Sequence, residues 1–166
     1  MTLPDDVLIR PAGEADAQII KQSIKDAGLD RTGLDWRRFK LAVTTEGEVL
    51  GMCQVRHYWD TRELGSLWVR ADTRGYGIGG VLIRACLAEE APPVYLECVE
   101  ARQTYYETHG FRRIPVMQAP RGLRLKSGIG GILARVVFRL RIIVMRWDGA
   151  DDSPAMLPNQ RDERDR

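Results

Sequence analysis

Glu63 to Gly80, ELGSLWVRADTRGYGIGG, is the stretch whose reading decides the fold. Leu64 to Val69 is a short apolar run with the residue types of a strand. Arg74 to Gly80 is rich in glycine and leads into a helix expected over Ile78 to Glu90, with Val81, Leu82, Ala85 and Leu87 as its buried stripe and Pro92-Pro93 as its stop. A glycine loop between a strand and a helix puts backbone N–H groups and the positive end of the helix where a phosphate can sit, and glycine allows the close approach. The stretch satisfies two patterns at once, R-x-x-G-x-G from Arg74 and the dinucleotide pattern G-x-G-x-x-G from Gly75, with Glu100 lying 20 residues after Gly80.

The neighbouring sequence separates the two. A dinucleotide fold places its first glycine directly after the first strand of a parallel βαβ run. Here Arg70 to Arg74 intervene, and three strand-like runs precede the loop: Phe39 to Thr44, Val49 to Tyr58 and Leu64 to Val69. Glu46-Gly47 and Asp60-Thr61 join them at hairpin length, so they form an antiparallel meander. Upstream, Val7 to Arg10 reads as a strand and Glu14 to Ala27 as a helix with Ala17, Ile20, Ile24 and Ala27 on one face and Gly28 as its stop. Downstream come a strand, Val94 to Val99, a short helix, Gln103 to Thr108, and an extended run, Phe111 to Val116. Ile129, Ile132, Leu133, Val136, Val137 and Leu140 recur at helical spacing behind Ser127 as N-cap, and Leu140 to Trp147 reads as a last strand.

The chain of 166 residues, 44% hydrophobic and 29% charged, is one domain's worth of sequence with enough apolar material for one core. Cys53, Cys86 and Cys98 are odd in number and share no C-x-x-C spacing, so neither a disulfide framework nor a cysteine zinc site is indicated. His57 and His109 lack metal-ligand spacing, and no metal is expected. No export signal is visible at the N-terminus, and Arg135, Arg139 and Arg141 interrupt the most apolar late stretch, so no membrane span is expected and the cytoplasm is the default location. The net charge of +2 is unevenly spread, because Arg112 to Arg146 holds nine basic residues and no acidic one. Residues 1–148 are expected to form the domain and 149–166 a disordered tail.

Glu63 to Gly80 resembles the acetyl-coenzyme A motif of the GNAT superfamily of N-acetyltransferases. LIRPAGEADA near the start is similar to that superfamily's first strand and helix, and YYETHGF, Tyr105 to Phe111, to its second signature. The resemblance covers about Val7 to Val116. It implies an α/β (α+β) fold: a mixed, mostly antiparallel central sheet of about 6–7 strands flanked by helices, here with a helical insertion over about 123–139 between the last two strands. It also implies acetyl-coenzyme A as cosubstrate, a small-molecule amine as acceptor, and a homodimer as an assembly that many relatives adopt.

Residue by residue, the resemblance implies that Leu67, Trp68 and Val69 pair their backbone with the pantetheine arm. Arg74, Gly75, Tyr76, Gly77, Ile78, Gly79 and Gly80 would hold the pyrophosphate, mostly through main-chain N–H groups. Tyr106, four residues before Gly110, stands where the family carries a tyrosine near the coenzyme sulfur and would protonate the leaving thiolate; Tyr105 reads as packing. Glu63 is the candidate base, with Glu97 and Glu100 as alternatives, because an alkylammonium must lose a proton before it attacks a thioester. Val99 stands where the family often has a coenzyme-binding asparagine. Cys98 lies beside the expected thioester site but has no base partner in the sequence, so direct attack in a ternary complex is expected.

For the acceptor, Asp30, Asp35, Trp36 and Tyr58 could form an acidic, aromatic pocket or belong to a solvated loop. The basic face over 123–146 reads as solvated or as attracting an acidic ligand or an anionic membrane surface; no nucleic-acid contact is expected, since aromatics are not interleaved with the basic residues. Two other functions remain open on sequence: a non-catalytic acyl-coenzyme A binding module of the same fold, and a dinucleotide-binding oxidoreductase.

Overall fold

A computed structural model describes residues 6–124 and 141–149. The expected insertion helix and C-terminal tail lie outside these residues, apart from their first positions. Ten elements follow in order: β1 Val7–Pro11, α1 Ala17–Asp26, β2 Phe39–Thr44, β3 Val49–His57, β4 Arg62–Val69, α2 Ile78–Leu87, β5 Val94–Val99, α3 Gln103–Glu107, β6 Phe111–Ile114 and β7 Ile142–Trp147. The seven strands form one sheet in the order β1-β2-β3-β4-β5-β7-β6. Every pairing is antiparallel except that of β4 with β5. A dinucleotide fold needs a run of parallel βαβ units, and this sheet does not offer one.

Two apolar layers cover the sheet. On one face α2 lies over Cys53, Val55, Leu64, Leu96 and Met145; on the other α1 lies over Phe39, Leu41, Val43 and Met52. β3 is buried along almost its whole length, which is why its sequence reads as a continuous run rather than an alternation. Gly51 lets α2 settle on β3, since a Cβ there would meet Leu82 Cδ1 at 3.0 Å and Ile78 Cγ2 at 3.1 Å. Each fully buried leucine or isoleucine of this contact contributes about 1.5–3 kcal/mol relative to exposure.

Two helical stripes differ from expectation. α2 buries Ile78, Leu82, Ile83, Cys86 and Leu87, while Val81 and Ala85 are only half-buried. The helix is set by its first turn, where Ile78 and Gly80 face the sheet, and that rotation turns the flanking positions outward. α1 buries Ile20, Ser23 and Ile24 and ends at Asp26. Ala27 is therefore exposed, in a turn that Gly28 completes at φ +63°. The expected first turn, Glu14–Asp16, is a 3₁₀ turn held by Asp16, which accepts from Gly13 N at 2.7 Å and from both terminal nitrogens of Arg10 at 2.7 and 2.9 Å.

Candidate active site

The site begins with an irregularity in β4. Residues 63 and 64 alternate normally, Glu63 towards the α1 face and Leu64 into the core under α2. Gly65 lies against Arg56 on the α1 face, and Ser66, the next residue, also turns its hydroxyl to that face, where it accepts from Arg56 and Gln54. Two successive side chains on one face mark a bulge, and the register with β3 shifts between Met52 and Gln54. Ser66 carries it at φ +54° and is the only non-glycine residue with positive φ among the described residues. Such a conformation costs of order 1 kcal/mol or more and persists where the surroundings fix it. After the bulge Leu67 and Val69 face the α2 core and Trp68 the α1 core.

At the same place β4 leaves its neighbour. The parallel ladder with β5 consists of the single pair Glu63–Tyr95, whereas β4 stays registered with β3 to the end through Trp68–Met52 and Val69–Gly51. Leu67, Trp68 and Val69 thus run beside a widening gap, with a backbone edge that has no ladder partner on β5. Past the strand, a 3₁₀ turn at Ala71–Thr73 leads to the glycine loop. Gly75 and Gly77 adopt φ +89° and +82°, and Gly77 is the N-cap of α2. No side chain caps that helix, so its first N–H groups remain open to an anion. Arg74 points back and donates from Nε to Val69 O at 3.0 Å. The strand edge and the glycine cradle together fit a ligand with an extended amide-bearing arm and a pyrophosphate.

α3 closes the far side of the gap. Tyr106 packs with Leu67, Val69 and Cys98 against the α2-face core, edge-on to Tyr105 and Phe111. Burial pushes its phenol well above the ordinary value, with the nearby Cys53 and Cys98 thiols adding to the effect. It therefore stays protonated at neutral pH. Burial likewise pushes the Cys98 thiol up to about 11, which keeps it a thiol rather than a nucleophilic thiolate. Tyr105 does more than pack. Its hydroxyl stands over the first turn of α2, where a Cβ on Gly79 would meet it at 2.5 Å, and His109 stands likewise over Gly80 at 2.8 Å. Nothing in the spacing of the glycines shows that Gly79 and Gly80 make room for rings on α3.

Glu63 is not the hairpin-end charge that the sequence allows. It is 2% exposed, accepts from Tyr58 Oη at 2.8 Å, and lies 3.6 Å from Arg56 Nη1. Arg56, 3% exposed, also approaches Asp30 at 3.7 Å and donates from Nη2 to Asp30 O at 3.2 Å. Asp30 and Tyr58 are therefore brought together through Arg56 and Glu63, but Asp35 and Trp36 do not join them. Asp35 accepts from Arg37 N at the start of a 3₁₀ turn and pairs with Arg37 and Arg38, and Trp36 lies under the Arg37 guanidinium. Of the alternative bases, Glu100 is engaged by Arg113 and Arg141, and Glu97 lies half-buried on β5 opposite Val144. His57 pairs with Glu90 at 2.8 Å. Among the described residues no cluster of His, Cys, Asp or Glu could hold a metal ion, and no helix is long and apolar enough to cross a membrane.

The two side chains singled out for chemistry thus lie on opposite faces of the sheet, Tyr106 with the α2 layer and Glu63 with the α1 layer.

Comparison with known proteins gives this geometry its likenesses. Residues 37–113 match the family model described as acetyltransferase (GNAT) domain. No curated protein matches the chain in sequence. Among solved structures, N-acetylglutamate synthase from Neisseria gonorrhoeae, complexed with coenzyme A and N-acetyl-glutamate, superposes with a TM-score of 0.66 at 15% identity over 86% of this chain. The chain spans about a third, 35%, of that enzyme's length. Rv2747 from Mycobacterium tuberculosis, in complex with coenzyme A, gives a TM-score of 0.67 at 18% identity, covering 86% of this chain and 99% of that one. A GNAT-family acetyltransferase from Staphylococcus aureus gives 0.59 at 16% identity, with 86% and 98% covered. At these identities the likeness is one of fold. Residues 37–113 thus carry the sequence pattern of a GNAT acetyltransferase domain, and the fold around them resembles that of these solved structures.

Proposed function

We propose that this protein is an N-acetyltransferase that moves an acetyl group from acetyl-coenzyme A to a primary amine of a small molecule by direct attack in a ternary complex. The observation that carries the reading is the departure of β4 from β5 at the Gly65–Ser66 bulge, just ahead of the glycine cradle that caps α2. In this reading the open edge of Leu67, Trp68 and Val69 takes the pantetheine amides as an added strand would. Arg74 and the backbone of Gly75, Tyr76, Gly77, Ile78, Gly79 and Gly80 take the pyrophosphate, assisted by the helix dipole by about 0.3–1 kcal/mol per favourable charge. Bound there, the cosubstrate supplies the thioester.

The bond that forms joins the amine nitrogen to the acetyl carbon, and the bond that breaks joins that carbon to sulfur. Glu63, held by Tyr58 and Arg56 on the α1 side, takes the proton that the ammonium must lose. Tyr106, kept protonated by burial on the α2 side, gives its proton to the departing thiolate, and the second proton, which the attached nitrogen sheds as the intermediate collapses, restores the phenol. Backbone N–H groups near Val69 polarise the thioester oxygen. The amine thus enters from the face opposite the coenzyme. A matched acid or base typically contributes roughly 10²–10⁴-fold.

Thiol release from acetyl-coenzyme A, measured against pooled amines, amino acids and polyamines, tests the reading. Acceptor-dependent release with an acetylated product by mass spectrometry is the expected result. Coenzyme A binding by calorimetry with no release across the panel would overturn it in favour of the non-catalytic binding module.

A further inference from the structure

We infer that the acceptor amine also carries a carboxylate, as an α-amino acid does, and that Arg56 receives this carboxylate in the place now taken by Asp30. The inference rests on the transfer reading above and names the acceptor that the α1 side of the bulge is built for.

Arg56 is a buried cation that spends few of its donors. A guanidinium has five N–H groups. Those of Nη2 go to Ser66 Oγ at 2.8 Å and Asp30 O at 3.2 Å. Nη1 sits 3.6 Å from Glu63 and 3.7 Å from Asp30, ion-pair distances beyond hydrogen bonding, and Nε has no partner. Leaving charged donors unmet in a buried site is costly, and the cost is recovered when an anion arrives. Gln54 presents the complementary deficit. It is wholly buried and donates from Nε2 to Ser66 Oγ at 3.0 Å, while its Oε1 has no partner and can accept an amine N–H.

The two head groups are close together, because both are bonded to the same Ser66 hydroxyl. An unmet acceptor and an unmet donor a few atoms apart match an amine and a carboxylate borne on one carbon. Ser66 is the bulge residue, so the amine end of such a molecule lies at the opening through which the thioester is reached. A polyamine fits less well, since it would bring a second cation to a guanidinium that already lacks anionic partners at hydrogen-bonding distance.

The α1–β2 loop supplies the exchange. Asp30 stands on it with its side chain 39% exposed, whereas that of Glu63 is 3% exposed. The loop closes onto the Arg56 stem at Gly33, where a Cβ would meet Arg56 Cδ at 3.3 Å. Replacing the Asp30 carboxylate by that of an acceptor leaves the charge of the buried cluster unchanged, so entry does not strand the guanidinium.

The test compares, for one side chain at a time, an L-amino acid with its amide and with its decarboxylated amine, using the full chain and acetyl-coenzyme A. The free acid is expected to show kcat/KM at least about tenfold above both partners, the range of a hydrogen-bonded charge. Asp30→Asn is expected to lower KM for the acid by a larger factor than for the decarboxylated amine. Arg56→Lys is expected to abolish the preference while coenzyme A binding persists. If Arg56→Lys does not fold, the wild-type comparison and Asp30→Asn decide. Equal or better use of the decarboxylated amine overturns the inference alone, as does an Asp30→Asn effect that is the same for both acceptors. Absence of release with every amine overturns the transfer reading and the inference with it.

Discussion

Adding one methyl group at Gly65 should both destabilise the protein and impair acceptor use while sparing the coenzyme. An alanine Cβ at position 65 would fall inside the van der Waals envelope of Arg56 Nη1 and 3.1 Å from Cζ. In an exposed arginine such a clash would relax by a rotamer change. Here the side chain is 4% exposed and held by Ser66 Oγ, by Asp30 O and by Gly33 packed on its stem. To regain contact distance the guanidinium must withdraw by about 1 Å, enough to take the 2.8 Å bond to Ser66 out of range. A hydrogen bond to a charged group contributes about 1.5–3 kcal/mol and overpacking costs about 1–3 kcal/mol, so Gly65→Ala should cost about 2–4 kcal/mol.

For a chain of this size that is a fall in Tm of roughly 4–16 °C. Thermal unfolding followed by circular dichroism reads it directly, and calorimetry of coenzyme A binding below the transition should give a Kd within about twofold of wild type. The acceptor KM should rise, because the same guanidinium is the group proposed to receive the acceptor. A Tm within about 1 °C of wild type would refute the view that Arg56 is pinned. Equal losses in coenzyme and acceptor binding would refute the division of the site between two faces.

Other consequences are open to simpler experiments. Tyr106→Phe should lower kcat by about 10²-fold or more with little change in coenzyme affinity, if the phenol protonates the thiolate; an unchanged pre-steady-state rate would remove it from the chemistry. Gly79→Ala should weaken coenzyme A binding through collision with the Tyr105 hydroxyl, and adding Tyr105→Phe should restore part of it, read by calorimetry as a non-additive pair. Asp16→Asn should destabilise the fold by roughly 1 kcal/mol near neutral pH. The Arg10 guanidinium holds the Asp16 carboxyl below its ordinary 3.8 in the folded state. Its contribution is therefore present above that pH and lost as pH falls through the lower folded value, so urea melts of the two proteins should begin to approach each other below about pH 4 and coincide only below the folded value.

The elements that depend on local pattern were legible in the sequence. The meander, the glycine loop, the helix behind it and the short YYETHGF helix all carry their own turn residues and periodicities, and the structure places them within a few residues of expectation. The character of Glu63 was not legible. Its burial depends on Arg56 seven residues earlier, which becomes a neighbour only when the hairpin sets Arg56 opposite Glu63; a one-residue slip would put the two on opposite faces. Ser66 gives no sign of positive φ, since it is the surrounding hydrogen bonds rather than the side chain's own preference that hold it there. The buried face of α2 also escaped a periodic reading, because nearly all of Ile78 to Leu87 is apolar or glycine and several rotations of the helix would bury a comparable set.

The placement of Tyr106 and Glu63 on opposite sides of one strand has a consequence for how such a protein can diverge. The residues assigned to the coenzyme lie in the end of β4, its glycine loop and the layer under α2, while those proposed for the acceptor are Glu63 at the start of β4 and residues of β3 and of the loop before β2. The two sets meet at Gly65 and Ser66. In the proposed reading, substitutions at Asp30, Gln54 or Arg56 would alter which amine is accepted while leaving the coenzyme cradle in place. A duplicated copy of the gene could acquire a new acceptor in a few steps while remaining bound to the same coenzyme pool.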